Sequence, residues 1–249
     1  MEIGAQLYTI RDYCQDLDSF AESLKKVADI GYKNVQVSGA CEFEADWLKT
    51  ELAKNGLKCV LTHTSEDAFQ NDIQGVIADH NTFDCQRVGL GWFDFKEGVE
   101  EESLDKMVAM YKPVVKALKD GGKYFMYHNH AEEFLKIGNK TILEVMAEAF
   151  DEDELGFIVD TYWVQVGGGD PAAWLEKLSG RVPCIHLKDC AYGQKISVVG
   201  EGNINFDRVF QMAEKAGTEY MLVEQDTCHG ENPFDCLKRS YDYLKSCGF

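Results

Sequence analysis

Short apolar runs alternate with longer stretches of helical spacing from one end of the chain to the other, and the pair recurs eight times. The runs are Ile3–Thr9, Asn34–Gly39, Lys58–Thr64, Gln86–Trp92, Lys123–His130, Leu155–Thr161, Val182–Asp189 and Tyr220–Asp226. Several are almost continuously apolar, the signature of strands buried on both faces. The stretches between them predict helices. Ser19 and Glu22 have the spacing of a capping box, and Asp170-Pro171 and Asn232-Pro233 place a cap before a proline at the first helical position. Gly31, Gly56, Gly121, Gly180, Gly217 and Gly248 stand where helices should stop. Pro113 falls inside the fourth helical stretch and predicts a kink or a break there.

Eight strand-helix units in 249 residues average about 31 residues each, the size of a βα repeat. No linker or compositional shift divides the chain, so the expectation is a single (β/α)8 TIM barrel domain over residues 1–249. An open doubly wound sheet would carry a glycine-rich phosphate turn after its first strand. Here that strand runs into Gln6-Leu7-Tyr8-Thr9-Ile10-Arg11-Asp12 instead. Gly167-Gly168-Gly169, after the sixth run, reads as a loop entering a capped helix rather than a phosphate cradle.

Charge narrows the function. With 25 Lys+Arg against 43 Asp+Glu the formal charge is −18, and no basic cluster offsets it, which argues against nucleic acid as a partner. Nine cysteines without a C-x-x-C pair suit neither a disulfide framework nor a thiolate zinc site and point to free thiols. No basic leader precedes the first apolar run, and no run approaches the roughly 20 residues of a membrane helix. The expectation is a cytoplasmic protein with no membrane partner.

In a barrel of this kind the active site lies at the C-terminal ends of the strands. Four consecutive strands end in groups that bind metal or move protons: Tyr127-His128-Asn129-His130, Val159-Asp160, Ile185-His186-Leu187-Lys188-Asp189 and Val223-Glu224-Gln225-Asp226. Unpaired burial of such groups costs several kcal/mol each, and a shared cation removes that cost. A nitrogen and carboxylate set without thiolate suits one divalent ion, Mn²⁺, Mg²⁺, Co²⁺ or Zn²⁺. Lys188 follows His186 by two and points the same way, toward a substrate oxygen or an ion pair. His63 ends the third strand, in contact with substrate or as a cap. His130 shares the facing of His128 and is a ligand, an acid/base group or an orienter. Trp163, Phe134 and Tyr8 either wall a sugar or pack the barrel mouth, while His80 and His229 read as surface or loop residues.

Those motifs, together with Tyr127-His128-Asn129-His130-Ala131-Glu132-Glu133-Phe134, Asp160-Thr161-Tyr162-Trp163, Gly169-Asp170-Pro171, His186-Leu187-Lys188-Asp189 and Val199-Gly200-Glu201-Gly202, resemble the sugar phosphate isomerase/epimerase family of xylose-isomerase-like barrels over nearly the whole chain. The resemblance implies a divalent metal held by His128, Asp160, His186 and Glu224. It implies a pocket shaped by Glu201. Ketose 3-epimerases of this superfamily place a glutamate on strand five as ligand and acid/base group; here His128 stands there, and Glu133 is the nearest carboxylate able to bind substrate or reach the metal.

The expected chemistry is removal of a proton α to the carbonyl of a small carbohydrate, with Glu224 as base and a cation stabilising the enediolate. Reprotonation gives an isomerase or epimerase. Loss of a β-hydroxyl gives a lyase acting on a keto-inositol, a keto-sugar or a 3-keto-glycoside. An endonuclease of abasic DNA would need more ligands than six histidines suggest and a basic surface that a −18 chain lacks. A non-catalytic sugar-binding relative would have lost the ligand set. Barrels of this family often pair through their helices, so a homo-oligomer is an expectation.

Overall fold

The computed structural model describes residues 1–94 and 101–249. Each apolar run forms a parallel strand: β1 (Glu2–Gln6), β2 (Asn34–Val37), β3 (Lys58–His63), β4 (Arg87–Leu90), β5 (Tyr124–His128), β6 (Leu155–Asp160), β7 (Cys184–Leu187) and β8 (Tyr220–Val223). They hydrogen-bond in chain order, and β1 pairs with β8 to close the barrel. The strands stop earlier than the apolar runs because side chains take over the backbone groups at the mouth. Asn129 Oδ1 accepts from the Asp160 N–H at 3.0 Å, and Thr9 Oγ1 accepts from the Gln225 N–H at 2.9 Å. Past Gln6 the chain winds into a 3-10 helix over Leu7–Tyr13 rather than extending to Thr9.

The period of two along a strand places the site. Leu61, Met126, Ile158, Cys184 and Leu222 form a dry layer inside the barrel. Two residues further on, the same facing carries His63, His128, Asp160, His186 and Glu224. A polar layer therefore sits directly on an apolar floor at the C-terminal mouth.

Helices cover the outside. In α1 (Leu17–Ile30) Phe20, Leu24 and Val27 are buried at helical spacing against the strands. Its capping box is Asp16 with Ser19, three residues ahead of the predicted Ser19–Glu22 pair, and Glu22 instead pairs with Lys26. The fourth helical stretch does not break at Pro113: α5 runs unbroken over Glu101–Asp120. Leu104, Met107, Tyr111, Val114, Val115 and Leu118 are buried along one side of it, which offsets the roughly 3 kcal/mol a mid-helix proline costs. Asp170 and Asn232 do cap α8 (Pro171–Lys177) and α10 (Pro233–Ser246) with proline at the first position. Gly56 and Gly217 end α2 (Ala45–Asn55) and α9 (Phe206–Ala216) in the left-handed conformation. Among the described residues no helix is long and apolar enough to cross a membrane.

Two residues hold features that the sequence did not disclose. His80 is not a surface residue: it lies on α4 (Ile73–Thr82), 5% exposed, with one ring nitrogen 2.8 Å from Thr62 Oγ1 and the other 2.7 Å from the Val76 carbonyl. Asp189, 1% exposed after β7, accepts backbone N–H bonds from Cys190, Gly200, Gly202 and Ile204 at 2.7, 2.9, 2.8 and 3.2 Å. A Cβ on Gly202 would lie 2.3 Å from Asp189 Oδ1, so that close approach requires glycine.

Asp189→Ala strips four backbone amides, one buried and three partly buried, of their acceptor and should cost about 2 kcal/mol or more, read as a lower urea midpoint; a midpoint within experimental scatter of the parent would contradict the role. Burial depresses the His80 imidazole to about 4, below its ordinary 6.5. The unfolded chain therefore binds the extra proton first, and stability present above pH 6.5 falls as pH drops toward 4, by about 3 kcal/mol in all. His80→Gln should flatten that part of the acid-unfolding profile; an unaltered slope would show that other groups govern it.

Candidate active site

The polar layer converges. Ligand-capable atoms of His128, Asp160, His186 and Glu224, all buried, lie within 4.8 Å of one another. Four donors at roughly 2.0–2.2 Å from one ion span at most ~4.4 Å, so a slight contraction would bring them to a common centre. His128 Nδ1 is 3.0 Å from the Gly91 carbonyl and Nε2 is 3.2 Å from Asp160 Oδ2, both of them acceptors; with Nδ1–H donating to Gly91, Nε2 is the nitrogen that could turn a lone pair to an ion. His186 Nε2 donates to Gln36 Oε1 at 2.6 Å, which turns Nδ1 inward.

Unsatisfied atoms show what the donor set fits. His186 Nδ1 and Glu224 Oε2 are buried 2.8 Å apart without hydrogen-bond geometry between them, His186 Nδ1 has no hydrogen-bond partner, and Glu224 Oε2 meets only the Lys188 ammonium at 3.1 Å. Positive charge placed between them satisfies both, so the residues fit a divalent ion. Burial opposes protonation of His186, but Glu224 and Asp160 outweigh it and raise the ring above its ordinary value. The same attraction would act on a cation. Burial likewise opposes ionisation of Asp160 and Glu224, and the Lys188 ammonium with the neighbouring imidazoles holds both well below the usual carboxylate range.

A cavity of ≈ 600 Å³ opens above the cluster, walled by Tyr8, His63, Trp92, His130, Trp163 and Asp226 among others. Another, of ≈ 550 Å³, lies at the opposite end of the barrel beside Arg87, Lys123 and Glu219, remote from the cluster. The upper cavity has the chemistry. His63 shares Nδ1 with Ser38 Oγ at 3.2 Å, and the His63 Nε2, His130 Nδ1 and Trp163 Nε1 atoms are buried without partners. Burial and the adjacent His128 push His130 down to about 3, leaving it neutral. Lys188, 1% exposed, places Nζ 2.9 Å from Asp160 Oδ2, 3.1 Å from Glu224 Oε2 and 3.1 Å from Asp226 Oδ2.

Three expected site residues lie elsewhere. Glu201 points to the surface, half exposed, and pairs with Arg239 at 2.8 Å; the glycines on either side serve the Asp189 turn rather than a pocket wall. Glu133 is buried with both oxygens engaged, by the Tyr127 hydroxyl at 2.5 Å and the His130 N–H at 2.7 Å, so it fixes the strand-five turn and does not line the cavity. Phe134 packs edge-on against Trp174, with ring centres 5.3 Å apart. Two positioning residues went unassigned in the sequence: Gln6, whose amide donates to Glu224 Oε1 at 3.2 Å, and Gln36. Their signal was a glutamine inside an otherwise apolar strand. His229 is exposed in a loop, as expected.

A family model described as xylose isomerase-like TIM barrel matches residues 24–247. The chain is 23% identical over 269 residues to the inosose dehydratase of Mesomycoplasma hyopneumoniae (strain 7448), spanning 92% of this chain and 88% of that protein. A sugar phosphate isomerase/epimerase from Parabacteroides distasonis ATCC 8503 superposes with a TM-score of 0.84 at 20% identity, over 99% of this chain and 94% of that one. An L-ribulose 3-epimerase superposes at 0.74 and 13% identity, over 99% and 94%. At these identities the two superpositions report the fold.

With Zn²⁺ bound, long-range ¹⁵N–¹H spectra should find His128 protonated on Nδ1 alone, donating to the Gly91 carbonyl; a proton on Nε2 under those conditions would contradict coordination through that nitrogen.

Proposed function

The chain belongs to the xylose isomerase-like TIM barrel family, and on that premise we propose that it is a divalent-metal-dependent isomerase or epimerase of a small sugar or keto-polyol. The observation that carries this reading is that proton-moving groups flank the ligand cluster at both edges within one cavity: Glu224 after β8 and His130 after β5. A divalent ion held by His128, Asp160, His186 and Glu224, whether Mn²⁺, Mg²⁺, Co²⁺ or Zn²⁺, supplies positive charge for the negative charge that develops on substrate oxygens.

The chain's own groups then divide the work. Glu224, oriented by the Gln6 amide, takes the proton α to the carbonyl. His130, neutral and with Nδ1 uncommitted, is a proton or hydrogen-bond acceptor on the other side of the cavity, and the proton that Glu224 takes is returned by Glu224 to the adjacent carbon. Lys188 holds a proton toward a substrate oxygen, Trp163 donates its indole N–H, and Tyr8 and His63 complete the wall. The substrate is a carbohydrate. Nucleic acid is an unsuitable partner for the acidic chain, and a homo-oligomer remains consistent with the fold.

A second reading, a lyase, is favoured by the curated relative that spans 92% of the chain and bears the name inosose dehydratase. It is also favoured by the withdrawal of Glu133, which leaves strand five without a free carboxylate to face Glu224. In that reading the proton that Glu224 takes from carbon passes to the departing β-hydroxyl, which leaves as water, and neutral His130 accepts a hydrogen bond from a substrate hydroxyl.

Glu224→Gln should slow exchange of the α proton with D₂O by ~10³ or more in a keto-sugar screen followed by NMR, because an amide does not accept the proton. Exchange at the parent rate would move the base to His130. The products separate the readings: an interconverting pair of equal mass supports the isomerase, and a product lighter by one water overturns it in favour of the lyase.

A further inference from the structure

Lys188 touches three carboxylates, and they are not equivalent. Asp160 and Glu224 belong to the four-residue cluster, and the oxygens nearest the ammonium, Asp160 Oδ2 and Glu224 Oε2, are the ones turned toward its imidazoles. Asp226 is outside the cluster, its side chain 26% exposed at the cavity wall, with Oδ2 3.1 Å from Lys188 Nζ. Arg11 steadies it by donating to the Asp226 backbone carbonyl at 3.0 Å. Three carboxylates against one ammonium leave two negative charges, which a divalent ion balances.

We propose that Lys188 is an internal counter-cation competing with the metal for Asp160 and Glu224, and that Asp226 sets metal affinity by drawing the ammonium away from them. This rests on the metal-dependent reading above and adds to it a determinant of affinity that binds no metal itself. Both cations need the same oxygens, and in a buried site two like charges a few ångströms apart repel strongly. As a metal enters, the ammonium gives up Asp160 and Glu224 and keeps Asp226, the one partner not called on by the ion. That movement also leaves Nζ on the cavity wall, where a substrate oxygen can reach it.

The test is calorimetric titration of the chelator-treated full chain with MnCl₂. Lys188→Met should bind Mn²⁺ about fivefold or more tightly than the parent, and Asp226→Asn about fivefold or more weakly, with Asp226→Glu restoring affinity. If Asp226 acts through the lysine, Asp226→Asn should change affinity by less than about threefold in a Lys188→Met background, which a merely structural or long-range charge effect would not produce. Should Lys188→Met not fold, the same comparison is made in a Lys188→Gln background, which likewise removes the ammonium. Parent-like Mn²⁺ affinity in either single variant, or weaker binding by Lys188→Met, overturns the competition while leaving the metal site standing. No Mn²⁺ binding by the parent or by any variant overturns the metal reading, and this proposal with it.

Discussion

Charge matching around Asp160 is the constraint on which the mouth of the barrel depends. Its carboxylate is fully buried, and each oxygen has a separate task. Oδ1 caps α7 (Thr161–Val166) by accepting from the Tyr162 and Trp163 N–H groups at 2.9 and 3.0 Å, while Oδ2 faces His128, His186 and Lys188. One residue thus joins the end of β6, the start of the helix that carries Trp163, and the charges of the site. Removing one partner from such a set leaves a charge buried and uncompensated, commonly at a cost of about 3–5 kcal/mol.

That arrangement is rigid because a row of neutral groups supports it. Gln6, Gln36, the Gly91 carbonyl and Asn129 are themselves fixed in or beside the strands, and each binds one atom of a cluster residue. The apolar floor of Leu61, Met126, Ile158, Cys184 and Leu222 seals the cluster from below. Above the cluster lies the cavity, whose wall carries Lys188, Asp226 and Ser38 beside His63, His130 and Trp163, whose ring nitrogens Nε2, Nδ1 and Nε1 are buried without hydrogen-bond partners. An array of such groups around buried carboxylates suits a ligand rich in hydroxyls.

Much of this was legible in the sequence because two periodicities survive folding. Runs buried on both faces marked all eight strands, the polar residues at four strand ends supplied the candidates, and the family resemblance singled out the four that converge. What failed did so for local reasons. Glu133 and Glu201 were assigned to the pocket from motif position alone, and motif position does not report which way a turn throws a side chain; hydrogen bonds from Tyr127 and His130 claim the first, and Arg239 claims the second. Of the kink or break that Pro113 signalled, the break is absent, because the apolar face of α5 holds the helix in one piece. His80 was misplaced because a lone histidine on a helix carries no sign of which face is buried, and the short hairpin of Asp189–Ala191 with Lys195–Ser197 lacked enough residues to show a period.

Anomalous diffraction from crystals grown with Mn²⁺ locates the ion directly. One strong peak is expected at the mouth of the barrel within about 2.0–2.4 Å of His128 Nε2, His186 Nδ1 and a carboxylate oxygen of both Asp160 and Glu224. A peak bound instead by His130 or Glu133, or no peak among these four residues at saturating Mn²⁺, would contradict that assignment.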